Sequence, residues 1–205
     1  MEGLVAKKIF FTKGIGRANT HLGAFEAALK NAGIAKFNLV KVSSIIPPNC
    51  EVITKEEGLQ LINAGEITFV VLSRIDSDEP NRLIAASVGL AIPKEKSHYG
   101  YLSEYEAFGE TDEIAGEKAE DLAASMLAET LGIEFDVNQA WDEKEKVFKM
   151  SNKIVKTSHI TQSAIVARDP KVTCVVAAGV LVLEGSMNHA NATAAPEPAK
   201  PQPAA

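Results

Sequence analysis

Val172-Thr-Cys-Val-Val-Ala-Ala-Gly-Val-Leu-Val-Leu183 decides the fold. A strand with one wet face alternates apolar and polar side chains, and this one does not. Apolar throughout, it must be buried on both faces, so the domain must be layered. Working outward from it, 154–167 and 144–149 also read as strands. So do 8–12 (KIFFT), 37–42 (FNLVKV), 67–75, 83–92 and 99–108, which are rich in apolar and β-branched residues. Two longer helices stand among them. Thr20–Lys30 carries Leu22, Phe25, Ala28 and Leu29 at helical spacing, with Thr20 as cap and Gly33 as stop. Residues 112–131 start with Asp112 and Glu113 at the positive end of the helix dipole and stop at Gly132. Their apolar stripe is expected to be Ala115, Ala119, Leu122 and Met126. A short helix is expected over 56–64. Many strands with few helices, no regular strand–helix alternation and no internal repeat indicate an α+β layered domain.

Length and composition narrow the class further. At 205 residues the chain suits one domain with an appendage. Residues 185–205 (GSMNHANATAAPEPAKPQPAA) hold no Leu, Ile, Val or aromatic side chain. Such a segment buries too little apolar surface to offset its ordering entropy, so a single domain over 1–184 with a disordered Pro/Ala-rich tail is expected. The formal net charge of −6 argues against nucleic-acid and polybasic membrane partners. No apolar run reaches the roughly 18 residues of a membrane span. The start, MEGLVAKKIFF, does not resemble a cleavable signal, which points to the cytoplasm. Cys50 and Cys174 lie far apart and belong to no C-x-x-C pair, so two small buried or half-buried thiols are expected. His21, His98, His159 and His189 show no zinc-site spacing, and no metal is expected.

Three motifs invite a functional reading. Gly14-Ile-Gly-Arg17 begins like a dinucleotide fingerprint, but Asn19 stands where the third glycine belongs and no acidic residue closes a following strand. A flexible turn into the Thr20 helix is expected there. Asn38-Leu-Val-Lys-Val-Ser-Ser-Ile-Ile-Pro-Pro48 runs a strand into two adjacent serines and then a stiff Pro-Pro segment. By itself this pattern suits a capped turn as well as a reactive site. In Tyr101-Leu-Ser-Glu-Tyr-Glu-Ala107, alternation puts Leu102, Glu104 and Glu106 on one face and Ser103 and Tyr105 on the other. An acid on the inner face would be partly desolvated and suited to donating a proton; on an edge strand it would be a solvated glutamate.

Four stretches in order, THLGAFEAALKNAGI (20–34), NLVKVSSIIPP (38–48), IAASVGLAIPK (84–94) and YLSEYEA (101–107), resemble the pyruvoyl-dependent arginine decarboxylases. The resemblance spans about residues 5–183. It implies a four-layer αββα sandwich, self-cleaved between Ser43 and Ser44 into a β chain, 1–43, and an α chain, 44–205. It also implies a homotrimer, or a hexamer, with sites between protomers. The Ser44 hydroxyl would attack the Ser43 carbonyl, and elimination and loss of ammonia would turn residue 44 into a covalently bound pyruvoyl group. No pyridoxal phosphate and no metal would then be needed. An amino-acid substrate would condense with the pyruvoyl group as a Schiff base and lose carbon dioxide. By motif match, Glu104 is the acid that protonates the α-carbon, and Asn38 supports processing and the active site. Glu26 takes the place of the acid that faces the guanidinium, while Leu22, Leu29 and Ile45 match pocket walls. The family's usual residue at position 26 is aspartate, and the extra methylene of Glu26 bears on arginine specificity.

The expected function is conversion of L-arginine to agmatine and carbon dioxide, feeding polyamine synthesis and consuming a proton. Two alternatives stand beside it: the same chemistry on another amino acid, and an unprocessed binding homologue that keeps the sandwich.

Overall fold

A computed structural model describes residues 4–134 and 153–183. The strand expected at 144–149 and the tail from 185, with His189, lie outside the described residues. In chain order the elements are β1 (Ala6–Ala18), α1 (His21–Ala32), β2 (Asn38–Lys41), β3 (Ile45–Ile46), β4 (Glu51–Val52) and α2 (Lys55–Leu61). They continue as β5 (Ile67–Ser77), β6 (Leu83–Pro93), β7 (Gly100–Phe108), α3 (Asp112–Thr130), β8 (Ile154–Ile165) and β9 (Val172–Leu183).

The strands form two sheets, ordered β2-β5-β9-β1-β4 and β3-β7-β6-β8. β9 lies at the centre of the first sheet, antiparallel to both β1 and β5. Its two faces are both buried, as the unbroken apolar run requires. Cys174, Val176, Ala178 and Val180 pack outward against Phe10 and against Ala24, Ala28 and Leu29 of α1. Ala177 and Leu181 point the other way, toward Val88, Leu90 and Leu102 of the second sheet. On the far side of that sheet, Ala123, Ala124, Leu127 and Ala128 of α3 cover Ala91 and Ile154. The order of layers is helix, sheet, sheet, helix, which is the four-layer αββα sandwich. Among the described residues no helix is long and apolar enough to cross a membrane.

Local chemistry sets the helix ends. The Thr20 side chain accepts from the Gly23 N–H at the start of α1, and Gly33 closes it at φ 84°. Thr54 and Glu57 form a reciprocal capping box on α2. Thr111 caps α3, with Asp112 and Glu113 in its first turn.

Two expectations change. Gly14-Ile-Gly-Arg17 is not a turn: it lies inside β1, paired with β9 from Val176 to Thr173. Its glycines let α1 press on the strand. A Cβ on Gly16 would meet Ala24 O at 2.1 Å and Ala28 N at 2.2 Å. On α3, Leu122 is exposed and Met126 only half-buried, while Ala115, Gly116, Ala119, Ala123, Ala124, Leu127 and Ala128 are buried. The buried stripe is made of small residues because α3 sits very close to its sheet; a Cβ on Gly89 of β6 would lie 2.1 Å from Ala119 O. β1 is also longer than the expected 8–12, and β2 is shorter than 37–42.

The thiols follow expectation: Cys174 is buried and Cys50 half-buried. Burial pushes each thiol up from 9.0 to about 11, with Glu51 adding to the effect at Cys50 and Asp76 at Cys174.

Packing at Gly16 predicts that Gly16→Ala lowers unfolding free energy by at least ~1–3 kcal/mol in urea titration; an unchanged midpoint would contradict the close helix–strand contact. The thiols predict a pH effect. An unfolded thiol ionises near 9.0, whereas the folded ones hold their protons to about 11. Their stabilisation is therefore complete below about pH 9 and declines as the pH rises toward about 11. The urea midpoint of the natural chain should fall more steeply across this window than that of a Cys50→Ala/Cys174→Ala chain; parallel curves would refute it.

Candidate active site

The double serine lies where the chain passes from one sheet to the other. The Val42 N–H donates to Val70 O at 3.0 Å, extending the β2–β5 pairing by one residue. Two residues later the Ser44 carbonyl accepts from the Leu102 N–H at 2.7 Å, in the second sheet. From there Ile45 pairs with Tyr101 and Ile46 with Gly100. The Ser43 carbonyl accepts from the Ile45 N–H at 3.1 Å, so the chain turns tightly about Ser44. Ile46 is buried between the sheets and Ile45 is exposed. Ser44, just before β3, is half-buried. Pro47 continues the stiff segment, its carbonyl accepting from the Cys50 N–H at 3.2 Å.

The partner strand β7 is held at each residue from Leu102 to Glu106. Beyond the Leu102–Ser44 bond, the Ser103 hydroxyl donates to Ala119 O of α3. Lys41 Nζ reaches Glu104 Oε1 at 2.7 Å, across the two sheets. The Ser73 hydroxyl of β5 donates to Tyr105 O at 3.0 Å, and the Arg74 N–H donates to Glu106 Oε1 at 3.3 Å. The alternation read from YLSEYEA is thus observed: Leu102, Glu104 and Glu106 face the first sheet, while Ser103 faces α3.

Glu104 lies two residues along β7 from the donor to Ser44, about 7 Å of strand, on the same face. Its side chain is 22% exposed. Oε1 is shielded from solvent, and among the described residues its close polar partner is the Lys41 ammonium. A shielded carboxylate held by one ammonium at the mouth of the crossing is a place where a ligand proton can be taken or given.

Ser43, Ser44, Ile45 and Glu104 thus come together within one chain. The other expected site residues do not join them. Asn38 starts β2, with its amide donating to Gly65 O at 2.6 Å. About 13 Å of extended strand separates it from Val42. Leu22 and Glu26 are exposed on α1, on the outer side of the first sheet, and Glu26 lies 3.4 Å from Lys30. Leu29 is a core residue beneath α1, 8% exposed, packed with Phe10 and Val70 rather than lining Ser44. Lys41 is the residue that sequence reasoning passed over. The available signal was a lysine two positions before Ser43 in a strand that leads toward an acid. Clefts of about 620, 510 and 440 Å³ lie elsewhere on the chain, and neither Ser44 nor Glu104 lines them. Among the described residues no group of three or more His, Cys, Asp or Glu side chains is placed to hold a metal ion.

Comparison with known proteins bears directly on this arrangement. Residues 8–185 match the family model described as pyruvoyl-dependent arginine decarboxylase. The chain is 57% identical over 178 residues to a probable pyruvoyl-dependent arginine decarboxylase of Chloroherpeton thalassium, covering 87% of this chain and 98% of that protein. It is 59% identical over 160 residues to a protein of the same description from Chlorobium limicola, covering 78% and 88%. A pyruvoyl-dependent arginine decarboxylase of Nitrosopumilus maritimus is 52% identical over 183 residues, 89% of this chain and all (100%) of that one. With the double serine at the sheet crossing and Glu104 beside it, the chain belongs to the pyruvoyl-dependent arginine decarboxylase family.

Proposed function

We propose that this chain is a proenzyme that cuts itself between Ser43 and Ser44 and then converts L-arginine to agmatine and carbon dioxide. The observation that carries the reading is the position of that peptide bond, in a two-residue crossing between sheets, beside the shielded Glu104 carboxylate that Lys41 holds.

In the cutting step, Ser44 Oγ bonds to the Ser43 carbonyl carbon as the bond from that carbon to the Ser44 nitrogen breaks. The hydroxyl proton ends on the nitrogen, leaving an ester. Loss of the Ser44 α-proton and cleavage of its Cβ–Oγ bond release the Ser43 carboxylate and leave dehydroalanine at 44. Water adds and ammonia leaves. The Ile45 N–H is already on the Ser43 carbonyl oxygen, where negative charge develops.

The residues present fit the resulting pyruvoyl group: its amide carbonyl is the one that Leu102 holds, and the shielded Glu104 carboxylate stands beside it, held by Lys41. When formed, that group supplies an electrophilic carbonyl for the substrate amine and a sink for the electrons freed with carbon dioxide. Glu104 delivers the proton to the substrate α-carbon. Lys41 holds its carboxylate at the inter-sheet edge.

The pocket is completed by neighbouring copies in a trimer or hexamer. Support comes from the edge of the sandwich that carries β2 and β3, where Val40, Ile45 and Ile67 are exposed. Asn38, Leu22 and Glu26 would act on the site of an adjoining protomer, Glu26 pairing with the guanidinium. Its contact with Lys30 is exposed and weak enough to exchange for substrate. We place the enzyme in the cytoplasm, where free amino acids are its substrates.

Ser44→Ala is expected to remain a single chain on a denaturing gel; normal cutting would sink the mechanism. Glu104→Gln is expected to cut but to release carbon dioxide from carboxyl-labelled arginine about 10²–10⁴ times more slowly. Near-natural turnover would remove Glu104 from its role, and turnover of another amino acid but not arginine would move the specificity.

A further inference from the structure

The residue-44 carbonyl survives processing. Cutting changes the nitrogen and side chain of Ser44, while its carbonyl and the bond to Ile45 persist. This is the oxygen held by the Leu102 N–H at 2.7 Å. We infer that the Leu102 backbone N–H is a catalytic group of the decarboxylation, stabilising the negative charge that gathers on the residue-44 amide oxygen as carbon dioxide leaves. The inference rests on the proposed function above.

The electron bookkeeping identifies this oxygen. When the bond from the substrate α-carbon to its carboxylate breaks, carbon dioxide departs without the bonding pair. The pair would pass through the C=N bond that replaces the ketone and onto the residue-44 amide oxygen, and would return when the α-carbon takes a proton. A donor fixed on that oxygen beforehand lowers the barrier without reorganising as charge appears.

The donor is fixed. β7 is paired with β3 on one side and with β6 from Ala91 to Ile84 on the other. The Leu102 side chain is fully buried between the sheets, and its neighbours are tied to α3 and to Lys41. A rigid strand holds such geometry better than a loop. One strand thus provides both the charge-stabilising donor, at Leu102, and the proton donor, at Glu104. No side chain at 102 is required for this role, so motif reading does not reveal it.

The test replaces leucine 102 by α-hydroxyisocaproate, which exchanges the N–H for an ester oxygen and keeps the side chain. The analogue is expected to cut between Ser43 and Ser44. Its kcat on arginine should fall about 100-fold with KM unchanged. Infrared difference spectra with serine carbonyls ¹³C-labelled should show the residue-44 amide band moved to higher frequency. An analogue that cuts, keeps kcat within about twofold and shows no band shift would reduce the bond to a structural rung. If the analogue does not cut, amide exchange in the natural, cut protein decides. Strong protection of the Leu102 N–H supports the inference, and exchange at the open-chain rate overturns it. Failure of the natural chain to cut or to act on arginine defeats the underlying reading instead, and the unmodified control reports it separately.

Discussion

Two residues carry the chain from one sheet to the other, and the active-site geometry depends on how short that crossing is. Val42 is still bonded to Val70 in the first sheet, and Ser44 is already bonded to Leu102 in the second. Only Ser43 lies between those two anchored residues, and the Ile45 N–H bond to the Ser43 carbonyl folds the chain tightly there. Ser43 and Ser44 are therefore confined to a narrow range of conformations, as an intramolecular attack between adjacent residues requires. The Lys41–Glu104 pair spans the same gap and brings the acid to the crossing.

The same arrangement would keep a chain cut between the serines together. Residues up to 43 remain in the first sheet through β1, paired along nearly its whole length with β9, and through β2, paired with β5. Residue 44 onward is held by β7. A break between the serines removes no sheet pairing, so the apolar layers that stabilise the sandwich are untouched. A free end at residue 44 would stay where the carbonyl bond to Leu102 puts it.

Much of this was legible in the sequence, for identifiable reasons. The 172–183 run could satisfy only a strand covered on both sides. The double serine and the alternation of YLSEYEA depend on residue types and period, which sequence preserves. What sequence hid depends on contacts between distant segments. Gly14 and Gly16 looked like a turn because their need comes from α1 packing on β1. Leu122 and Met126 were the more hydrophobic choices on α3, but its close approach to the sheet selects alanines. Lys41 becomes meaningful only once β2 and β7 face each other. Asn38, Leu22 and Glu26 were readable as site residues by resemblance, yet they stand away from Ser44 within one chain, because the assembly that would join them is not encoded in local pattern.

The central claim is that the crossing is a site of self-cleavage, and a denaturing intact-mass spectrum of freshly purified protein tests it most directly. The account predicts two species that divide between Ser43 and Ser44, the larger beginning with a ketone in place of an amine. A single full-length species near 21.9 kDa that persists on incubation would contradict it.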